Sequence, residues 1–200
     1  MIAKFASVVI IPIKSFTGAK ERLSSALDAT DRHMLARYMA SRVVAAAVPF
    51  PVIIVCDDDE VADWAQQRGA AVVRQQTPGL NNAAKAGFDA AREAGFDWAI
   101  IAHSDLPLAT HFDHLVNESM PRIQIGMVSD QHGDGTNVLV IATDNDFGFH
   151  YGPGSCRAHC DEAIRRGFEF RITVDIALAI DIDTPDDLVH LPADWMHSAL

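Results

Sequence analysis

The sequence has few cysteines and no long uninterrupted apolar segment, and each shortage excludes a class of protein. Its three cysteines, Cys56, Cys156 and Cys160, lack the spacing of a disulfide framework, which favours a reducing compartment. The longest apolar stretch, residues 43–56, contains two prolines. It is shorter than the roughly 20 residues needed to span a bilayer. We therefore expect a cytoplasmic protein that does not bind membranes.

Basic residues are also scarce. The chain has 16 Lys and Arg against 27 Asp and Glu, a formal net charge of −11. A nucleic-acid backbone would repel such a chain, so we expect no nucleic-acid partner. The charge is uneven, because residues 1–25 hold Lys4, Lys14, Lys20 and Arg22 against one acidic side chain, a balance of +3. A small anionic ligand remains compatible with this local excess.

The length and composition predict a single domain over residues 1–200. Hydrophobic residues make up 49% of the chain and charged residues 22%, as in ordinary globular proteins. Strands are predicted at 7–11, 52–56, 71–75, 98–102, 123–129, 137–142 and 170–174, and helices at 31–47, 60–68, 82–94, 155–166 and 185–189. This alternation indicates an α/β sandwich on a mostly parallel sheet, in which ligands bind at the carboxyl ends of the strands.

A loop rich in basic residues follows the first predicted strand. Lys14, Lys20 and Arg22 place three cations within nine residues, with Gly18 between them. The spacing differs from the phosphate loop GxxxxGK[ST], which excludes that motif. The loop can still wrap phosphates with backbone N–H groups and basic side chains, or it can be an ordinary solvated loop.

Carboxylates follow two other predicted strands. Asp105 comes shortly after the strand at 98–102, where it could bind a metal or cap a helix. Asp181 and Asp183 are two residues apart, so both could point into one site if this segment is extended. A divalent cation would remove the repulsion between such carboxylates. These three residues favour a Mg²⁺ site.

Glycine-containing turns are predicted at the same edge of the sheet. In the turn at 79–82, Asn81 or Asn82 could cap the following helix or read a base edge through its amide. The turns at 133–137 and 151–155 can offer backbone N–H groups to an anion. Ser155 is expected to cap the helix that follows the second of these turns.

In its motifs the sequence resembles the CofC/FbiD guanylyltransferases of coenzyme F420 biosynthesis, within the wider MobA-like nucleotidyltransferases. The motifs are, in chain order, Ile11-Pro12-Ile13-Lys14, Ala19-Lys20-Glu21-Arg22-Leu23-Ser24, Gly79-Leu80-Asn81, Asp105-Leu106-Pro107-Leu108, Gly135-Thr136-Asn137, Gly152-Pro153-Gly154-Ser155 and Asp181-Ile182-Asp183-Thr184-Pro185. They span nearly the whole chain. The resemblance implies a Rossmann-like three-layer α/β/α sandwich, as in nucleotide-diphospho-sugar transferases.

The resemblance also implies an activity and a set of site residues. Members transfer GMP from GTP to 2-phospho-L-lactate, phosphoenolpyruvate or 3-phospho-D-glycerate and release pyrophosphate. By motif, the catalytic residues are Lys14, Lys20, Arg22 and Asp105. GTP is expected to bind Lys14, Lys20, Arg22, Gly79, Leu80 and Asn81. The acceptor is expected to bind Thr136, Gly152 and Ser155. Mg²⁺ is expected to bind Asp105, Asp181 and Asp183.

Two features depart from the family pattern. His103 and Ser104 replace small or apolar residues, and Cys156 stands where an aromatic residue is common. The sequence leaves their roles, the acceptor and the number of metal ions open, and a homodimer is possible. The alternatives are another MobA-like nucleotidyltransferase acting on a sugar phosphate or molybdopterin, and a non-catalytic receiver-like or nucleotide-sensing module.

Overall fold

The computed structural model describes residues 6–116, 122–193 and 195–198, so Lys4 lies outside the described residues. The described strands form one sheet. They are β1 (Ser7–Pro12), β2 (Val52–Cys56), β3 (Ala71–Arg74), β4 (Trp98–Ala102), β5 (Ile125–Ser129), β6 (Thr136–Ala142) and β7 (Phe170–Ile172), in the spatial order β3-β2-β1-β4-β6-β5-β7. Among these strands β6 alone runs antiparallel to its neighbours, which confirms the mostly parallel sheet.

Helices cover both faces of the sheet and make a three-layer sandwich. They are α1 (Ala29–Ala46), α2 (Asp59–Gln67), α3 (Leu80–Glu93), α4 (Ser155–Arg166), α5 (Ile176–Ala179) and α6 (Trp195–Ser198). One buried cluster joins α1 and α2 to β1, β2 and β4, and a second joins α3 and α4 to the opposite face. The continuous apolar runs in β1 and β4 follow from this arrangement, because both of their faces are buried.

The topology brings the predicted site segments to one edge of the sheet. The chain leaves β1 and β4 at their carboxyl ends, and these strands are neighbours at the point where the strand order reverses. Because β6 is antiparallel, its first residue, Thr136, lies at this same edge. The loops that carry Lys20, Asp105 and Thr136 therefore converge.

Several predicted boundaries differ from the structure. The segment at 185–190 is a 3-10 helix, and the short helices at 21–23, 113–115 and 176–179 were not predicted because each is too short to show a hydrophobic period. Helix α3 begins two residues earlier than predicted. In the described residues, none of the helices has both the length and the apolar character needed to cross a membrane.

Gly87 lets α3 lie directly against the sheet, and Gly87→Ala should destabilise the fold. An added Cβ would stand 2.4 Å from Ile10 Cγ2 and 2.9 Å from Val55 Cγ2. Overpacking of this kind costs about 1–3 kcal/mol. Urea unfolding should show this loss, whereas Lys85→Ala on the exposed side of α3 should leave the midpoint nearly unchanged. An unchanged midpoint for Gly87→Ala would contradict the close packing.

Candidate active site

A cleft of about 460 Å³ opens at the carboxyl edge of the sheet. Asp105, Asp181, Asp183, Gly152 and Ser155 are among its lining residues. It adjoins two smaller clefts of about 260 and 250 Å³, both of which Lys14 lines. The structure thus brings together residues from most of the predicted site segments.

Lys20 lies between two of the predicted metal ligands. Its Nζ donates to Asp105 Oδ2 at 2.6 Å and to Asp183 Oδ1 at 2.8 Å. Its side chain is only 12% exposed. The backbone of Lys20 is left-handed, with φ of 56°, which directs the chain into the short 3-10 helix that starts at Glu21. In this structure Lys20 therefore contacts the acidic cluster directly.

The carboxylates fix the charge state of Lys20. Burial alone would lower the pKa of the ammonium, but Asp105 and Asp183 outweigh burial and raise the pKa above its usual value. Burial would likewise raise the pKa of Asp105, and the nearby Lys20 and His103 reverse this and lower it. The buried pair is therefore ionised on both sides.

Asp181 completes a cluster of three carboxylates. One oxygen each from Asp105, Asp181 and Asp183 lies within 4.8 Å of the others. Burial, together with the charges of the other two carboxylates, raises the pKa of Asp181. Asp105 Oδ1 is buried and has no hydrogen-bond partner among the described residues. An oxygen-only donor set with an orphaned carboxylate oxygen fits a hard divalent cation such as Mg²⁺.

A second group of side chains in the described residues could also hold a metal ion. His111, Asp113 and His114 bring one ligand atom each within 4.8 Å of the others. His111 and Asp113 are exposed, and His114 is paired with Asp175 at 2.8 Å. This group does not line any of the clefts described above, so the acidic cluster is the candidate for chemistry.

The other two basic residues of the first loop are more exposed than Lys20. Lys14 is exposed, and Arg22 has a side chain that is 78% exposed. Arg22 Nη1 lies 3.7 Å from Asp183 Oδ2. A wide cleft of about 540 Å³ is lined by all three basic side chains. Glu21 and Asp183 also line this cleft, so its basic side chains exceed its acidic ones by one. Lys and Arg side chains grouped in this way can hold a polyphosphate.

Asp187 organises the backbone that carries Asp183. Its Oδ2 accepts from the backbone N–H groups of Asp183 and Thr184 and from Thr184 Oγ1. Burial would raise the pKa of Asp187, but these hydrogen bonds outweigh it and lower the pKa. Asp187 lies in the first turn of the 3-10 helix at 185–190, whose capping residue is Thr184.

The turn at residues 79–82 lines the cleft of about 250 Å³ through Gly79 and Leu80. It is named the nucleotide-side turn after the ligand predicted for it. Asn81 does not cap α3, because the capping position is Gly79. Its amide instead donates to the Tyr151 carbonyl at 3.1 Å and accepts from the Tyr151 N–H at 2.6 Å. The capping interpretation of Asn81 was wrong, and its predicted contact with GTP stays a prediction.

Asp130 and Asp134 organise the turn between β5 and β6. Asp130 accepts from the backbone N–H groups of residues 132, 134 and 135. Asp134 accepts from Gly154 N–H, which ties this turn to residues 152–155, named the acceptor turn after the ligand predicted for it. Sequence reasoning missed both residues, although Asp before glycine-rich turns is a recognisable signal for such local hydrogen bonds.

The acceptor turn depends on two glycines with positive φ. Gly152 has φ of 135° and Gly154 has φ of 71°, values that side chains other than glycine adopt at a cost. Ser155 is the first residue of α4, and the capping position is Gly154 without a side-chain cap. The prediction that Ser155 caps this helix was therefore wrong. Gly152 and Ser155 both line the large cleft.

Thr136 lies beneath the surface of the cleft. It is 0% exposed, and its Oγ1 lies 3.0 Å from His159 Nδ1. His159 Nε2 accepts from His150 N–H at 2.9 Å, so in a neutral ring the proton is on Nδ1 and is donated to Thr136. Gly135 and Asn137 form the cleft surface at this position. Direct contact between Thr136 and the acceptor stays a prediction.

Acid should destabilise the fold through His159. Burial, helped by His150 and His103 and opposed by Glu162, lowers its pKa to about 4. The unfolded value is about 6.5, so between these values only the unfolded chain binds the proton, and the unfolding free energy falls as the pH falls. From pH 6.5 to pH 5 the loss should be about 1–2 kcal/mol.

His159→Gln should remove this part of the pH dependence. Urea unfolding at pH 6.5 and pH 5 gives the loss of unfolding free energy for each protein. The carboxylates are the same in both proteins, so their contribution cancels when the two losses are subtracted. If both proteins lose the same free energy, His159 does not stay neutral in the folded state.

Comparisons with known proteins agree with this geometry. Residues 7–197 match the family described as "Guanylyl transferase CofC like". A phosphoenolpyruvate guanylyltransferase of Rubrobacter xylanophilus is 35% identical over 189 residues, 92% of each chain. A 2-phospho-L-lactate guanylyltransferase of Methanocaldococcus fervens is 32% identical over 183 residues, 90% of this chain and 82% of the relative.

Solved structures share the fold. A putative nucleotide-diphospho-sugar transferase from Desulfovibrio desulfuricans superposes with a TM-score of 0.75 at 17% identity. The match covers 92% of this chain and 85% of that protein. The expected Rossmann-like sandwich of the nucleotide-diphospho-sugar transferase type is thereby confirmed.

Proposed function

The chain belongs to the CofC-like guanylyl transferase family, and from this membership we propose that it transfers GMP from GTP to a phosphorylated three-carbon acid in coenzyme F420 biosynthesis. The acceptor is phosphoenolpyruvate or 2-phospho-L-lactate, the substrates named for its relatives. The other product is pyrophosphate. The observation that carries the proposal is the cluster of Asp105, Asp181 and Asp183, which lines the large cleft and contacts Lys20 of the basic loop.

The clefts suggest a position for each substrate. The cleft of about 250 Å³, lined by Lys14, Gln75 and Gly79, has polar and apolar walls suited to a guanine ring. The GTP phosphates extend from there along Lys14, Lys20 and Arg22. The acceptor lies in the large cleft, at the turn of Gly152 to Ser155. The two substrates then meet at the acidic cluster.

The three carboxylates are the proposed Mg²⁺ ligands. Asp105 Oδ1 has no hydrogen-bond partner in the part of the chain that the structure describes, and Asp181 and Asp183 each supply an oxygen within 4.8 Å of the other ligand atoms. When bound, the cation supplies Lewis-acid polarisation of the phosphoryl oxygens and counter-charge. Binding of a divalent cation also stabilises the ionised form of Asp181, whose pKa is raised without it.

The proposed reaction is an in-line displacement at the α-phosphorus of GTP. An oxygen of the acceptor phosphate forms the new P–O bond as the bond to the β-phosphate oxygen breaks and pyrophosphate leaves with its electron pair. The acceptor phosphate is already ionised at pH 7, so no general base is required. The basic side chains orient two anions and neutralise the charge on the leaving group.

A single assay tests this proposal. Purified protein is mixed with Mg²⁺, one of GTP, ATP, CTP or UTP, and one of phosphoenolpyruvate, 2-phospho-L-lactate, 3-phospho-D-glycerate, a hexose phosphate or no acceptor. Pyrophosphate release and product mass are measured. We expect release only with GTP and a three-carbon acid phosphate. Equal release with a hexose phosphate would overturn the proposal, and binding without release would favour a sensor.

A further inference from the structure

Two side chains that do not line the cleft hold the backbone leading into the acceptor turn. Asn81, at the start of α3, makes a reciprocal pair with Tyr151, donating to its carbonyl and accepting from its N–H. His159, on α4, accepts the N–H of His150. Three backbone groups of two consecutive residues are therefore bonded to side chains from different helices. We call these contacts the 150–151 clamp.

The clamp stands between the two substrate regions. Tyr151 directly precedes Gly152, where the acceptor turn begins, and Gly152 lines the large cleft. Asn81 directly follows Leu80, which lines both the large cleft and the proposed guanine cleft. The pair joins residues 70 positions apart in the chain. It therefore ties the nucleotide-side turn to the acceptor turn.

The other described hydrogen bonds on this segment lie further along the chain, where the Asp134 carboxylate accepts from Gly154 N–H and the Asp134 carbonyl accepts from Cys156 N–H. Gly152 and Gly154 give the turn itself backbone freedom. Tyr151 is 8% exposed, and its ring centroid lies 4.9 Å from that of His159 and 5.5 Å from that of His103, yet its hydroxyl has no hydrogen-bond partner among the described residues. Ring packing fixes the side chain of Tyr151, and the described hydrogen bonds to the backbone of residues 150–151 are those of the clamp.

We propose that Asn81 and His159 are positioning residues for the acceptor: they hold residues 150–151 and thereby fix the acceptor turn relative to the bound nucleotide. The proposal rests on the proposed function, which assigns residues 152–155 to the acceptor. It gives Asn81 a role different from direct contact with GTP. The amide nitrogen and the amide oxygen of Asn81 each make one hydrogen bond to the Tyr151 backbone, which orients the side chain toward residue 151.

The clamp predicts which kinetic constant changes. Without it, the acceptor turn samples more conformations, and the acceptor must order the turn on binding. The KM for the acceptor should then rise in Asn81→Ala by about tenfold, the scale of one or two lost hydrogen bonds. The KM for GTP should change by less than about threefold, within the small effect expected of a residue that does not touch it.

The experiment measures both KM values in Asn81→Ala, His159→Ala and His159→Gln, with Arg157→Ala as the control on the exposed side of α4. The acceptor is phosphoenolpyruvate or 2-phospho-L-lactate, whichever the wild-type enzyme uses. Both alanine variants should raise the acceptor KM. Because the Gln carbonyl can accept from His150 N–H, His159→Gln should recover most of the loss. A rise mainly in the GTP KM, an equal rise in both, or a fall in kcat alone would overturn the proposal.

Hydrogen exchange of the backbone amides tests the clamp without any activity. In the ligand-free protein the Tyr151 amide should exchange at least about tenfold faster in Asn81→Ala, and the His150 amide likewise in His159→Ala. Unchanged exchange rates in folded variants would overturn the clamp even if the enzyme is active. If wild type does not transfer GMP but the exchange rates change, the proposed function fails and the clamp itself survives.

Discussion

Asp105→Asn should lower kcat/KM by at least about a thousandfold while the protein stays folded, because a metal-assisted displacement loses several kcal/mol when one carboxylate ligand becomes neutral. The amide oxygen of Asn can still accept from Lys20 Nζ, so the local packing survives. Asp183→Asn should have a similar effect. Its backbone is held by Asp187, and that contact does not depend on the Asp183 side chain.

The assay for these variants is Mg²⁺-dependent pyrophosphate release from GTP with the natural acceptor. Circular dichroism and urea unfolding report whether the fold is intact. Asp161→Asn is the matched control, since it removes one carboxylate from the exposed side of α4, where Asp161 pairs only with Arg157 among the described contacts. Turnover within about tenfold of wild type in both site variants would rule out the acidic cluster as the metal site.

Local pattern was sufficient to predict the sheet and the acidic cluster. The strands β1 and β4 are continuous apolar runs, and the helices show an apolar period of 3.6 residues, so their positions follow from burial. The carboxyl ends of parallel strands share one edge. Loop residues such as Asp105 could therefore be placed there before any contact was known. The family match confirms the guanylyltransferase interpretation over the sugar phosphate, molybdopterin and sensor alternatives.

Contacts between residues that are far apart in the sequence could not be predicted from local sequence patterns. The position of Asn81 near the start of a predicted helix suggests a cap, and the neighbouring sequence does not indicate that its partner is Tyr151. Thr136 belongs to β6, a strand buried on both faces, so alternation does not show whether its side chain reaches the cleft. The antiparallel direction of β6 is likewise a property of the whole sheet.

Lys20 is the residue whose role the structure changes most. The sequence assigned it to the phosphates of GTP, whereas its Nζ lies between Asp105 and Asp183 in the ligand-free protein. The ammonium therefore stands where the proposed Mg²⁺ would bind, and the two would compete for the same carboxylates. In wild-type protein without nucleotide, Mg²⁺ should bind weakly, because it must displace or share this charge.

Lys20→Met should have opposite effects on turnover and on Mg²⁺ binding. Turnover should fall by at least about a hundredfold, since the first loop loses one of the three cations proposed to neutralise the leaving pyrophosphate. Metal-free protein should lose about 3 kcal/mol of unfolding free energy, because Asp105 becomes an unpaired, largely buried carboxylate. Mg²⁺ should restore that stability, since the cation binds the folded state more tightly once the ammonium is gone.

The measurement is the unfolding midpoint of wild type and Lys20→Met across a Mg²⁺ titration without GTP. The midpoint of Lys20→Met should start lower than that of wild type and rise further with Mg²⁺. The control is Lys85→Met, which should behave like wild type, because Lys85 is exposed and pairs only with Asp89 among the described contacts. Methionine meets the same left-handed backbone cost at position 20 as lysine, so strain does not account for the difference. If Mg²⁺ stabilises the variant less than wild type, Lys20 helps to build the metal site, and the competition inferred from its position is wrong.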